Sequence, residues 1–157
     1  METINVKYLQ DLADECVKDI VHIVAMEMTQ KGRAASGRTI RETTTEVTTE
    51  GDTVTAKVLV PKWFPYIEKG SAPALRGTWF FKKIHQWAKD KHIISDDSTK
   101  SKRISGGIAY TIIHEGTKAH QIGGEDVFST AVSERIDQFK AEATIALQAQ
   151  INNLIHL

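Results

Sequence analysis

Cysteine is nearly absent from this chain: Cys16 stands alone among 157 residues. One thiol excludes an intrachain disulfide and any cysteine-rich zinc site. Cys16 falls on the apolar side of a helical pattern, which points to a buried structural thiol rather than a nucleophile. Proline is scarce too, and all three prolines crowd into the segment 61–73, so that segment cannot be a long regular element. No run approaches the roughly 18 apolar residues that span a bilayer. The start "METINVKYLQDLADEC" is acidic and amphipathic, without the basic-then-apolar layout of a signal peptide, so the expected setting is cytoplasm or something assembled there. Catalytic signatures are missing as well. "GRAASGRT" lacks a Gly-Lys-Ser/Thr ending and a preceding strand, and no G-x-S-x-G occurs.

Net charge is also missing, with 20 bases against 20 acids. That balance argues against a dedicated nucleic-acid binder. The charges are unevenly placed, however. Residues 1–30 hold six acids against two bases, residues 31–41 four bases and no acid, and residues 76–103 eight bases against three acids. Such basic stretches suit phosphate or an acidic partner. With 41% apolar and 25% charged residues, the chain reads as one soluble domain, 1–157.

What is present sets the fold. Over residues 6–28, Leu9, Leu12, Cys16, Ile20, Ile23, Val24 and Met28 recur at steps of three and four, which predicts an amphipathic helix capped by Asn5 and ending at Gly32. "GRAASGRT" then reads as an exposed loop. Threonine and valine dominate 39–60, and Val54, Ala56, Val58 and Val60 alternate with polar neighbours and Leu59. This predicts a β-hairpin turning at "EGD", 50–52. Its first strand has only Ile40 and Val47 as large apolar residues, so it is expected at an edge or reaching into solvent. From Thr78, Phe80, Phe81, Ile84, Trp87 and Ala88 predict a short helix with an aromatic face. "SDDSTKSKRISGG" has no periodicity and reads as a mobile loop. "IAYTIIHEG" reads as a helix ending at Gly116. Phe128, Val132, Ile136, Phe139, Ala143, Leu147, Ile151 and Leu154 predict a long terminal helix capped near residues 123–126. The expected class is α+β: long N- and C-terminal helices packed on a small antiparallel sheet with a protruding hairpin.

The candidate chemistry lies in "IHEGTKAH", 113–120. Metalloprotease helices place two histidines four apart on one face. His114 and His120 are six apart, about 600° around a helix, with a glycine between them. A metal site there is therefore not expected. His22, His85, His92 and His156 are scattered over helices, and Asp96 and Asp97 fall in the mobile loop, where an acid–base pair is not expected. "IEKGSAP" at 67–73 shares with "IHEGT" the order Ile, Glu, Gly, Ser/Thr, and each follows a tyrosine, Tyr66 or Tyr110. Both read as glycine chain reversals pinned by a buried aromatic, with the glutamate available to nearby bases.

The order of these pieces resembles the tail-completion or neck proteins of tailed double-stranded DNA phages. The shared features are a small-residue run Ala35, Ser36, Gly37 and Arg38 leading from helix to hairpin, then Tyr110, Glu115, Gly116 and Thr117 at a turn, then Phe128 and Ala131 entering the last helix. Glu and Gly are adjacent here and no proline precedes Phe128, unlike the family pattern. The resemblance implies a virion structural protein without catalysis, metal or cofactor. It would form a homo-oligomeric ring at the head–tail junction, between portal or adaptor rings and tail tube or hub proteins. Genomic DNA would pass through the lumen without sequence-specific contacts, and no membrane is involved. The residues expected to serve assembly are Arg33, Arg38 and Arg41 of the basic stretch and Thr44, Glu46, Thr48, Thr53, Thr55 and Lys57 of the hairpin. Two other classes remain open: a metal-assisted hydrolase using His114, Glu115 and His120, and a small nucleic-acid-binding domain using Arg33, Arg38, Arg41, Lys100, Lys102 and Arg103.

Overall fold

Two long helices, α1 (Val6–Gln30) and α7 (Ser129–Ile155), lie antiparallel and carry the rest of the chain between their ends. Between them run α2 (Arg38–Glu42), β1 (Thr44–Glu50), β2 (Thr53–Leu59), α3 (Pro65–Lys69), α4 (Thr78–Asp90), α5 (Thr99–Glu115) and α6 (Lys118–Gln121). The computed structural model describes residues 6–155 except Ala35 and Glu125 and, at Leu154, the backbone alone. The expected cap Asn5 and the family-like Ala35 therefore lie outside the described residues, as does Glu125 of the expected 123–126 cap. The mixed helix-and-sheet class is as expected.

The apolar spacing in α1 builds the core. Cys16, Ile20, Val24 and Met28 are buried together with Val127 and Phe128 at the entry to α7. Fully burying a side chain of this size contributes about 1.5–3 kcal/mol. Ala13 and Val17 are also buried, whereas Leu9, Leu12 and Ile23 are only half-buried, so the true stripe is rotated slightly from the expected one. Phe64 stacks on Phe128 with ring centroids 4.2 Å apart, and Ile40, Val58, Ile67, Val132 and Phe139 close the cluster. The helix pair is fixed in register by charge: Arg135, with its side chain 11% exposed, donates to Asp19 at 2.9 Å and to Glu142 at 3.3 Å.

β1 and β2 pair antiparallel from Thr44↔Leu59 to Glu50↔Thr53 and turn at Gly51–Asp52, as the sequence predicts. They form the entire sheet among the described residues. The strand begins later than expected. Thr39 and Ile40 are helical because Thr43 Oγ1 and the Thr43 amide bond back to Thr39 and Ile40 carbonyls, closing α2. Both strands rest on α1, so the arm is supported along one face rather than free.

The larger correction concerns 95–107, expected as a mobile loop. Helix α5 starts at Thr99, where Ser98 Oγ accepts the Ser101 amide as an N-cap. Ile104, Ile108 and Ile112 then recur at four-residue steps, a helical stripe hidden among lysines, serines and two glycines. α4 and α5 pack as a helical hairpin around Ala88, Ile94 and Ala109, and Lys91 Nζ holds it to the end of α1 through the Gly32 carbonyl. The expected aromatic face of α4 is not fully buried by this packing: Phe81 and Trp87 stay exposed. No helix among the described residues is long and apolar enough to cross a membrane.

Candidate functional site

The two glycine turns meet. Ser71 donates its amide to Thr117 Oγ1 at 2.9 Å, Thr117 donates its own amide to the Ser71 carbonyl at 3.0 Å, and the Ala74 amide reaches the Ile113 carbonyl at 3.1 Å. Gly70 (φ 72, ψ −171) and Gly116 (φ 80, ψ −177) occupy a backbone region open essentially to glycine alone. Tyr66 and Tyr110 are each 62% exposed, so these turns are not pinned by buried aromatics; they pin each other. His114 stacks on Tyr110 at 4.1 Å, and His120 is exposed on α6. Among the described residues no three of His, Cys, Asp and Glu converge as metal ligands do.

Glu68 does not pair with a base as expected. It caps α7: its carboxylate accepts the amides of Val127, Phe128 and Ser129 at 3.3, 3.1 and 2.8 Å and the Ser129 hydroxyl at 2.6–2.7 Å. Partial burial pushes the Glu68 carboxyl up. The bonds from Ser129 and the three amides outweigh this and leave it below the ordinary carboxylate range. Asp126 adds a second cap by accepting the Thr130 amide at 3.2 Å.

The expected assembly residues fall into two groups. Pairing places Thr44 and Leu59, Glu46 and Lys57, Thr48 and Thr55, and Glu50 and Thr53 on one face of the hairpin. Thus Thr44, Glu46, Thr48, Thr53, Thr55 and Lys57 all share that face, which is exposed except at half-buried Thr48. Val47, Val54 and Val58 lie on the opposite, half-buried face, and Glu46 and Lys57 form a 3.8 Å ion pair between strands.

The basic stretch is less available than an exposed loop would be. Arg38 Nε bonds Glu42 at 2.5 Å, and its guanidinium lies 4.5 Å over the Trp63 ring. Trp63 in turn donates to Thr39 Oγ1 at 2.9 Å. Arg41 donates to the Ser36 carbonyl at 2.8 Å, and Lys31 pairs with Glu27 at 3.0 Å. Arg33 is half-buried. Arg38, Arg41 and Lys31 are thus each engaged in local structure.

The structure also assembles a cluster that sequence reasoning dismissed. His85 Nδ1 lies 2.8 Å from Ser105 Oγ, and Nε2 lies 2.7 Å from Asp97 Oδ1. Lys89 reaches the same Asp97 oxygen at 2.7 Å. The hydrogen bonds from Lys89 and His85 lower the Asp97 carboxyl to about 2. Asp96 is held by Ser101 Oγ at 2.5 Å and the Ser98 amide at 3.2 Å. Neither aspartate is loose: Asp96 organises the start of α5, and Asp97 is held by two side chains of α4. A recognisable signal was the Asp-Asp-Ser-Thr-Lys-Ser run, a cap sequence ahead of the isoleucine stripe.

Serine, histidine and aspartate at these distances invite comparison with a nucleophilic triad. The surroundings differ from what such chemistry needs. Ser105 is buried in the middle of α5 and its hydroxyl also reaches the Ser101 and Lys102 carbonyls at 3.1 and 3.2 Å. Amides inside a helix are already bonded along the ladder, so none is positioned as an oxyanion donor. The cluster ties α4, α5 and their connection together.

Beside it, α4 and α5 leave an open groove of about 920 Å³. Ile84 and Trp87 of α4 and Ile104, Ile108 and Ile112 of α5 line it. Arg33, Arg103, Lys118 and Glu115 also border it. Comparison of the chain with protein-family models, curated proteins and solved structures gives no match.

Proposed function

We propose that this chain is a virion structural protein that assembles into a ring at the head–tail junction of a tailed DNA phage, joining the portal side to the tail around the DNA channel. The observation that carries the reading is apolar surface left uncovered by the chain itself. Leu75 is 95% exposed, Ile155 70%, Ile145 67% and Trp79 57%. Exposed apolar side chains that gather on one element, as Ile145, Ile151 and Ile155 do at the end of α7, mark a surface for another subunit to cover. The outward hairpin face adds a second kind of contact, a polar ladder with one side already held by α1. It would meet a neighbouring ring by hydrogen bonds and charge, and Arg38 and Arg41 on the short helix before it would add to that field.

The test is physical. The purified chain is expected to form a discrete oligomer by light scattering, to appear as rings by electron microscopy, and to be found in completed particles by mass spectrometry. A chain that stays monomeric at several hundred micromolar and is absent from particles ends the reading.

A further inference from the structure

We propose that the exposed end of α7 in one copy seats in the α4–α5 groove of a neighbouring copy. This rests on the self-assembly reading above and names its interface. Among the described residues two surfaces lack a cover, and they match.

The first is the groove, whose floor is a stripe of isoleucines with Trp87. Two helices side by side leave such a seam open on the side where a third helix would lie. No described residue of α7 lines it, so among the described residues α7 does not fill the groove of its own chain. A Cβ built at Gly107, on the groove wall, would meet nothing within 4 Å, which leaves room for close approach by a visiting helix.

The second surface is the outer side of α7. At about 100° per residue, Ile145, Ile151 and Ile155 fall within one arc of about 120°. That arc lies opposite Val132 and Phe139, which pack on the core. All three isoleucines are exposed. From Ala143 to Ile155 the helix has no Asp, Glu, Lys or Arg, so burying it desolvates no charge.

Charge favours the match as well. The groove is bordered by three cations and one acid, Glu115. Just before its uncharged end, α7 turns Glu134 and Asp137 outward, Asp137 paired with Lys140 at 2.8 Å, while Glu142 is held by the inward-drawn Arg135. An isoleucine-bearing helix whose approach carries Glu134 thus meets an isoleucine groove with a basic rim. The contact joins different surfaces of the two copies, so it propagates head to tail and closes into a ring when the rotation allows.

The experiment uses the full chain and two variants, with light scattering as the readout. Ile104→Glu spoils the groove and leaves α7 intact; Ile145→Glu spoils the helix and leaves the groove intact. Both residues are exposed, and unchanged thermal unfolding checks that each variant folds; Arg103→Glu at the rim replaces the first if it does not. Each variant alone is expected to raise the dissociation concentration about tenfold or more. Mixed in equal amounts they should recover a one-to-one heterodimer, because one intact groove meets one intact helix. Variants that assemble like the parent chain overturn this interface while leaving the ring reading standing. Weakened variants that fail to complement each other also overturn it, since they indicate like-on-like contact. A parent chain that is monomeric throughout ends both proposals.

Discussion

Ser71 and Thr117, 46 residues apart, exchange two hydrogen bonds, one from each backbone amide. This pairing brings two similar turns into one joint, and it stands where α3, α5 and α6 converge. The glycine preceding each partner has no room for a side chain. A Cβ at Gly70 would lie 2.4 Å from the His120 nitrogen and Thr117 Oγ1, and one at Gly116 would lie 2.8 Å from the Ser71 carbonyl.

Gly70→Ala and Gly116→Ala are therefore expected to destabilise the chain by about 2–3 kcal/mol or more, combining backbone strain with a steric clash. Gly106→Ala is the control. Gly106 is helical with open space around its Cβ position, so alanine there should stabilise by about 0.5–1 kcal/mol. Urea unfolding of the three variants decides it. Equal effects at all three positions would contradict the joint.

Glu68 gives an acid dependence. Its carboxyl titrates lower in the folded chain than in the unfolded chain, where the ordinary value is 4.5. The folded state thus favours the ionised form, and this stability is present above about pH 4.5 and is lost as pH falls through the lower folded value. Glu68→Gln should cost about 1 kcal/mol at neutral pH, as loss of a helix cap does. The difference from the parent should shrink in acid. A gap that widens below pH 4 would show the sign to be wrong.

The Ser105–His85 bond acts as a strut between helices, which makes its two ends interdependent. Ser105→Ala and His85→Ala should each destabilise the chain. The double variant should be less unstable than the sum of the two by about 0.5–1.5 kcal/mol. Denaturant unfolding of the full cycle measures this coupling, and strict additivity would remove the strut.

Arg38 and the hairpin face should separate stability from assembly. Arg38→Glu sets like charges one helical turn apart at Glu42 and removes the stacking on Trp63, an expected loss of about 0.5–1.5 kcal/mol. Thr44→Lys with Thr55→Lys changes only outward positions of the hairpin and should leave the melting temperature within a degree or two. That pair is nevertheless expected to lower incorporation into particles. Normal incorporation would show the face to be mere solvated surface.

Much of this architecture was determined by sequence alone, wherever local periodicity and local chemistry point the same way. The apolar steps in α1 and α7 fixed two helices and buried Cys16, because only one helical face can reach a core. Val54, Ala56 and Val58, with glycine at the turn, fixed the hairpin and put all six of its expected assembly residues on one side, since a strand has a period of two. Tertiary structure decided the rest. Helix α5 begins in a stretch too polar to announce itself, and it forms because α4 offers a partner and Ser98 a cap. Asp97 gained a fixed place only when His85 and Lys89 arrived from another helix. Glu68 became a helix cap instead of an ion-pair partner because folding carried the start of α7 to it, about sixty residues along the chain. Periodicity states which face of an element is apolar. Which distant groups satisfy its exposed amides and carboxylates depends on how the elements meet in space.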